Sequence, residues 1–349
     1  MSTQNALALT ELGKPLTKIT LPIPSSSDLK DNEVLIKITA AGLAPLDQRL
    51  RDKNMFNIGS RLPAILSGDL VGIVVEKGPK AKFPIGAHVF SQTLFDNPRG
   101  GGLQEYVIIN GSYTAIVPEG VTDEEAALYP INAVTAAMSL FSSGGFNLPF
   151  PGTDEAKSFN YAAQKVAIVG GGSNIGKLAI QMAKLAGVGT VIAIASPSGA
   201  ELLKSFGATH VISRHDADIE EQVRAVVGDE LIYVFDTMNR GNGHTLGVSL
   251  LSDTKKGVFV SSLLGKASEA VLAKKKGGIE EKFLRGFSHS FPDFGQLFWK
   301  QFPTWLAKGS IRPLKFKVIE GLDADKVNHA LDEYGARRSG ERSHVRVSR

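Results

Sequence analysis

Residues 166–187, VAIVGGGSNIGKLAIQMAKLAG, constrain this chain more than any other stretch. A short apolar run, a knot of glycines and an amphipathic run predict a strand, a tight turn and a helix ending at Gly187. A turn that carries a dinucleotide needs small residues at three places. One makes the turn, one lets the backbone approach the pyrophosphate, and one lets the helix pack on the strand. The best register is Gly171-x-Ser173-x-x-Gly176, so the fingerprint is met in part, with serine in the middle. The helix start around Gly172, Asn174 and Ile175 would offer NH groups and the positive end of a helix dipole to phosphate. A glycine turn without a ligand is the plain alternative.

Strand and helix alternate after this turn. TVIAIAS (190–196), HVIS (210–213), LIYVFDTM (231–238) and KGVFVSSLL (256–264) read as strands, with helices GAELLKSFGA and DIEEQVRAVVG between. This βαβ rhythm predicts a parallel sheet covered on both faces. Residues 1–129 are different. EVLIKITAAGL, GDLVGIVVEKG, GAHVFS, GLQEYVII and YTAIVP are short strands at close intervals, which predicts a small barrel or sandwich. Thr122 and Glu125 form a capping box at the head of a helical stretch over 122–141, which Pro130 breaks or restarts. Residues 142–164 read as a loop. From about 315 the chain returns to strand, helix and strand.

Composition closes off several chemistries. The 349 residues suggest about two domains, and the chain holds no cysteine, which excludes disulfides, thiolate catalysis and Cys-ligated zinc. The seven histidines show no ligand spacing. The formal charge of +4 is mild, and the basic runs AKKKGG and GARRSGERSHVRVSR read as solvated loop and terminus. No basic face with interleaved aromatics predicts nucleic-acid binding. There is no long apolar run and no signal-like N-terminus, so the expectation is a soluble cytoplasmic protein without a membrane span.

The second strand of the βαβ unit bears on the cofactor. NAD binders place an acidic residue near its end, on the ribose 2′-OH. Here the strand ends Ala195-Ser196-Pro197-Ser198, with no carboxylate to repel a 2′-phosphate. Ser196 and Ser198 can donate to one, and Arg214 after the next strand can supply charge. NADPH is therefore expected over NADH, against the alternative of an ordinary loop and a solvated arginine.

Taken together, EVLIKITAAGLAPLDQRL, PAILSGDLVGIVVEKG, GGLQEYVII, EEAALYPINAVTAA, the glycine turn, LLKSFGATHVI and GARRSGERSHVRV resemble, in order, the medium-chain dehydrogenase/reductase superfamily. The likeness spans nearly the whole chain. It is strongest to the zinc-free quinone oxidoreductase and enoyl reductase branch, which includes the fungal trans-acting enoyl reductases. The resemblance implies a GroES-like β-barrel catalytic domain over 1–129, completed by 315–349, and a Rossmann NADP-binding domain over 130–314. It places Pro45, Leu46, Asp47 and Gln48 in a loop at the cofactor, with Ala44 standing where the family has Asn. It places Thr135 beside the nicotinamide, with Asp47 as a second catalytic candidate, and Leu263, Leu264, His344 and Val345 against the cofactor. Ile131 and Asn132 share the Thr135 segment as substrate-side candidates. Phe287 and Phe291, with Phe294, Phe298 and Trp299, are candidates for an apolar substrate pocket, or equally for core or a dimer face.

The departures from the family matter too. Its zinc-ligand Cys position falls in GLAPLDQ, its Gly-His-Glu reads Gly68-Asp69-Leu70, and SQTLFDNPRGGG replaces its tetracysteine lobe. The expected chemistry is then metal-free hydride transfer from NADPH to an enone, an enoyl thioester or a quinone, with alignment and oxyanion stabilisation from the protein and the proton from water. Two alternatives stand beside it: a trans-acting enoyl reductase served by a carrier protein or synthase, and a non-catalytic NADPH-binding protein. The sequence leaves monomer and homodimer open.

Overall fold

The computed structural model describes residues 2–348 except 94–96, 98, 239–242 and 337–340. The segments Leu94–Asp96 and Pro98 of SQTLFDNPRGGG, and 337–340 of the basic tail, lie outside the described residues.

The first part of the chain builds β1 (Thr3–Leu9), β2 (Thr17–Pro22), β3 (Glu33–Gly42), α1 (Pro45–Lys53), β4 (Ala64–Ile65), β5 (Asp69–Lys77), β6 (His88–Gln92), β7 (Tyr106–Asn110) and β8 (Thr114–Ile116). Next come α2 (Asp123–Ala126), α3 (Pro130–Phe141) and α4 (Asp154–Ser158). The alternating section follows: β9 (Lys165–Val169), α5 (Asn174–Ala186), β10 (Thr190–Ala195), α6 (Ala200–Phe206), β11 (His210–Ser213), α7 (Ile219–Val227), β12 (Tyr233–Asp236), α8 (His244–Ser249), β13 (Gly257–Ser261), α9 (Glu269–Leu272) and β14 (Ile279–Phe283). The chain finishes with α10 (Pro292–Ala307), β15 (Phe316–Glu320), α11 (Ala324–Gly335) and β16 (Arg342–Arg346).

Three sheets result. The six-stranded one is parallel throughout, in the order β11-β10-β9-β12-β13-β14. That order is the doubly wound dinucleotide fold, with its switch point beside β9. A seven-stranded sheet runs β15-β16-β3-β5-β6-β8, with β7 also on β3. Strands from both ends of the chain meet there, since β16 lies antiparallel to β3 (Val345 opposite Ala41). A small sheet β2-β1-β4 completes the barrel side.

The cap expected at Thr122 is present, its hydroxyl accepting from the Glu125 NH, but the Glu125 carboxylate accepts from the Tyr129 hydroxyl (3.2 Å), so only half of the expected capping box forms; Pro130 does restart the helix as α3. Every residue of α3 is buried. A helix apolar on all sides belongs inside a protein, and α3 lies between the barrel and α5. Val71 and Phe90 of the barrel therefore share one apolar cluster with Val166 and Ile168 of the parallel sheet.

Two expectations need correction, and one open choice is decided. Asp47 and Gln48 are not in a loop but in the first turn of α1, which starts with Pro45 at its first helical position. Residues 142–164 are not wholly a loop, because Thr153 caps the short α4. The aromatic run after 291 is a sixteen-residue helix, α10, with Pro303 inside it, and Phe298, Trp299, Phe302 and Trp305 are core.

Candidate active site

In a parallel sheet every strand delivers its carboxyl end to one edge. Here that edge gathers the glycine turn after β9, Ser196 and Ser198 after β10, Arg214 after β11, Thr237 after β12 and Leu263–Leu264 after β13. The turn is built from its glycines. Gly170 has φ +80, in the left-handed region. A Cβ on Gly176 would stand 2.4 Å from the Gly170 carbonyl oxygen, so only glycine lets α5 sit this close to β9. A Cβ on Gly172 would meet nothing nearer than 3.8 Å, so this face of the turn is open. Among the described residues, the NH groups of Gly172, Asn174 and Ile175 donate to no protein acceptor. An open backbone cradle at a helix start is the geometry that a pyrophosphate fills.

Ser173 does a different job from its glycine counterpart. Its hydroxyl caps α5 by accepting from the Gly176 NH (3.0 Å) and lies 2.8 Å from the Thr237 hydroxyl. Thr237 in turn lies 3.1 Å from the carbonyls of Val169 and Gly170. The middle position thus anchors the turn to β12 and faces inward. Sequence reasoning passed over Thr237, and its only signal was its place at a strand end.

The structure brings Ser196, Ser198 and Arg214 together. The two serine hydroxyls are 3.1 Å apart, and the Arg214 NH donates to the Ala195 carbonyl (2.9 Å). The Arg214 side chain is exposed, and its Nε donates to His215 Nε2 (3.3 Å). Beyond β13, Leu263 is fixed through its carbonyl, which accepts from Ser261 Oγ (2.8 Å) and lies 3.0 Å from His244 Nε2. Leu264 beside it is 73% exposed, the most exposed of the large apolar side chains among the described residues.

Thr135 is buried on α3, where its hydroxyl donates to the Ile131 carbonyl (2.7 Å). Gly286 covers it: a Cβ there would stand 1.8 Å from Thr135 Oγ1. Asn132 is spent on the Leu128 carbonyl (2.9 Å). Ile131, Leu46 and Phe287 share an apolar cluster at the barrel side of the cleft. Phe287 packs edge-on against Phe56 (5.5 Å), whose ring also carries the Arg285 guanidinium at 5.1 Å. Phe291 is not part of this group. Its ring lies beside Gly144 and packs against the large apolar cluster shared by the barrel, α3 and the parallel sheet.

Other residues lie away from the cleft. Pro45 is exposed at the head of α1, and Gln48 donates to Asp52 (2.8 Å) on the side facing α11. Asp47 is fully buried: its carboxylate accepts from the Ala44 NH (2.7 Å) and the Ser67 NH (2.8 Å). Burial pushes its pKa up to about 6, against the pull of those two NH groups. His344 and Val345 have no exposed surface. Burial drives the His344 pKa down to about 3; the ring stacks on Phe316, and its Nδ1 contacts the Glu124 carbonyl. The C-terminal strand therefore completes the barrel with these two side chains rather than presenting them to a cofactor.

The residues do not fit a zinc ion. Asp69 stands where the family's metal binders have a ligand histidine, yet both its oxygens are engaged. One accepts from the Ile131 NH (2.6 Å), the other from Arg342 Nη2 (2.5 Å). Arg342 also donates to the Leu43 (2.7 Å) and Leu128 (3.3 Å) carbonyls. Burial pushes the Asp69 carboxyl up while Arg342 and the Ile131 NH pull it down. Among the described residues no group of three His, Asp or Glu converges on a metal position, and no helix is long and apolar enough to cross a membrane.

Comparison with known proteins agrees with this architecture. Residues 30–119 match the alcohol dehydrogenase GroES-like domain, and residues 174–292 match the zinc-binding dehydrogenase domain. The chain is 26% identical to the dehydrogenase orsE of Emericella nidulans over 95% of each protein. It is 31% identical to the trans-enoyl reductase tazE of Aspergillus terreus over 58% of this chain and 67% of that one. An alcohol dehydrogenase superfamily protein from Novosphingobium aromaticivorans superposes with a TM-score of 0.79 at 23% identity, over 99% of this chain and all of that one (100%).

Proposed function

The chain belongs to the medium-chain dehydrogenase/reductase superfamily of oxidoreductases, and on that premise we propose that it is an NADPH-dependent, metal-free reductase of activated C=C bonds or quinones. The observation that carries this reading is the meeting of an open glycine cradle with Ser196, Ser198 and Arg214 at one end of a parallel sheet. The NH groups of Gly172, Asn174 and Ile175 would hold the pyrophosphate, and the two serines and the arginine the 2′-phosphate. Bound NADPH would supply the hydride. The chain's own part is to orient and to exclude water. Leu263 and Leu264 offer apolar surface beyond β13, and the Ile131–Leu46–Phe287 cluster offers an apolar face for the electrophile. Thr135 stays a candidate contact, though its proton is given to Ile131, so it would serve the site as an acceptor. Asp47, locked on two backbone NH groups, is a poor proton donor in this geometry, which leaves water.

A second reading is favoured by tazE, whose name is trans-enoyl reductase: an enoyl thioester delivered on a carrier protein or synthase. NADPH oxidation assayed with quinones, 2-alkenals and enoyl thioesters tests both. Turnover of any class supports the reductase, and turnover of carrier-bound thioesters alone selects the second reading. Tight NADPH binding without turnover across the panel would contradict both.

A further inference from the structure

Gln92 ends β6, opposite Asp69 in the β5 register, on the barrel side of the cleft. Its buried side chain reaches a segment 194 residues further along, on the parallel-sheet side. The Nε2 group donates to the Gly286 carbonyl (2.7 Å). The Oε1 atom accepts from both the NH (2.8 Å) and the hydroxyl (3.0 Å) of Ser288. The Ser288 hydroxyl also accepts from Trp299 Nε1 on α10 (2.9 Å). One carboxamide therefore reads a carbonyl and an NH two residues apart, as a neighbouring strand would.

What this grip holds matters. Gly286 lies against Thr135 with no room for a Cβ, and Phe287 joins the apolar cluster containing Ile131. Main-chain groups in this strip are buried, so freeing them is costly unless a partner replaces Gln92. Neither a carboxylate nor an apolar side chain can replace it. At neutral pH a primary amide offers the donor and the acceptor together at one end, which an ionised carboxylate does not.

We propose that Gln92 is a positioning residue: a latch across the cleft that fixes the Gly286–Ser288 main chain over Thr135 and sets the substrate-side wall. Its consequence for turnover rests on the reductase reading, whereas the latch itself does not.

The test uses the full-length protein with NADPH. Gln92→Leu removes both halves of the grip at similar size. Amide exchange at Ser288 is expected to speed up by about tenfold or more, with little change in the glycine turn. In turnover, kcat is expected to fall by about tenfold or more while the NADPH dissociation constant stays within about threefold, because only the wall has moved. Gln92→Glu keeps the acceptor for Ser288 but loses the donor to Gly286. Its defect is expected to be largest at high pH and to shrink as the carboxyl protonates and donates again, a pH dependence that mere loss of packing would not give. Unchanged Ser288 exchange in Gln92→Leu overturns the latch, whether or not the protein turns over any substrate. So does a variant that loses NADPH affinity and thermal stability in step with activity. If the wild type reduces nothing, the reductase reading fails, and the exchange experiment alone still decides the latch.

Discussion

Two polar regions of this molecule sit at comparable places in their domains and differ in one respect. At the carboxyl edge of the parallel sheet, the glycine turn leaves the NH groups of Gly172, Asn174 and Ile175 open. In the barrel, where the family's metal binders keep a ligand, Asp69, Arg342, Asp47 and Ser67 satisfy one another and the neighbouring backbone. Unsatisfied backbone groups at a surface suit a ligand, while a closed network of buried charges suits the fold itself. The difference teaches where to look for chemistry: the open region has free donors and room for a ligand, and the closed one holds the chain's two ends together.

Four changes break or sharpen that contrast. The largest effect is expected from Arg342→Ala, which strands Asp69 as an uncompensated buried charge and unties β16 from β5. A loss of about 3–5 kcal/mol in denaturant unfolding is expected, with NADPH affinity of the remaining folded protein little changed. A loss under about 1 kcal/mol would show that the network is not closed in the sense argued.

Asp47 comes next and is read through pH. Its folded pKa of about 6 lies above the ordinary 3.8, so the native state holds the proton more tightly than the unfolded state. Stability conferred by this group is therefore present at low pH and declines as pH rises from about 4 to about 6, by on the order of 3 kcal/mol. Asp47→Asn is expected to flatten that part of the stability profile; an unaltered profile would contradict the assignment.

In the open region, Arg214→Ala is expected to weaken NADPH by about tenfold, about 1.4 kcal/mol, and to leave NADH unaffected by calorimetric titration. Equal losses for both cofactors would remove Arg214 from the 2′-phosphate. The smallest effect is expected from Ser173→Ala, which removes the cap of α5 and its tie to Thr237, at about 1 kcal/mol of stability. A stability change of zero with a large loss of NADPH would mean that Ser173 faces the ligand after all.

The same contrast explains what could be read from the sequence. The open region is local in sequence: strand, glycine turn, helix and next strand follow within 30 residues, 166–195, and their periodicities are plain. So were the Thr122 cap and the break at Pro130. The closed region is long-range. Arg342 meets Asp69 across 273 residues and Gln92 meets Gly286 across 194, and no spacing rule connects such pairs. Local signals also misled. The resemblance implied a loop at residues 45–48 although proline suits the first position of a helix, and α10 was hidden by an aromatic run that reads equally as pocket or core. Ser173 was legible as the middle residue of the turn, but not the commitment of its hydroxyl to Gly176 and Thr237, the latter 64 residues away.

The most direct measurement is calorimetric titration of NADPH and of NADH into the protein, with and without a strong metal chelator. The expected result is NADPH binding at least about tenfold tighter than NADH, unchanged by the chelator. NADH binding as tightly as NADPH, or NADPH binding lost on chelation, would contradict the account.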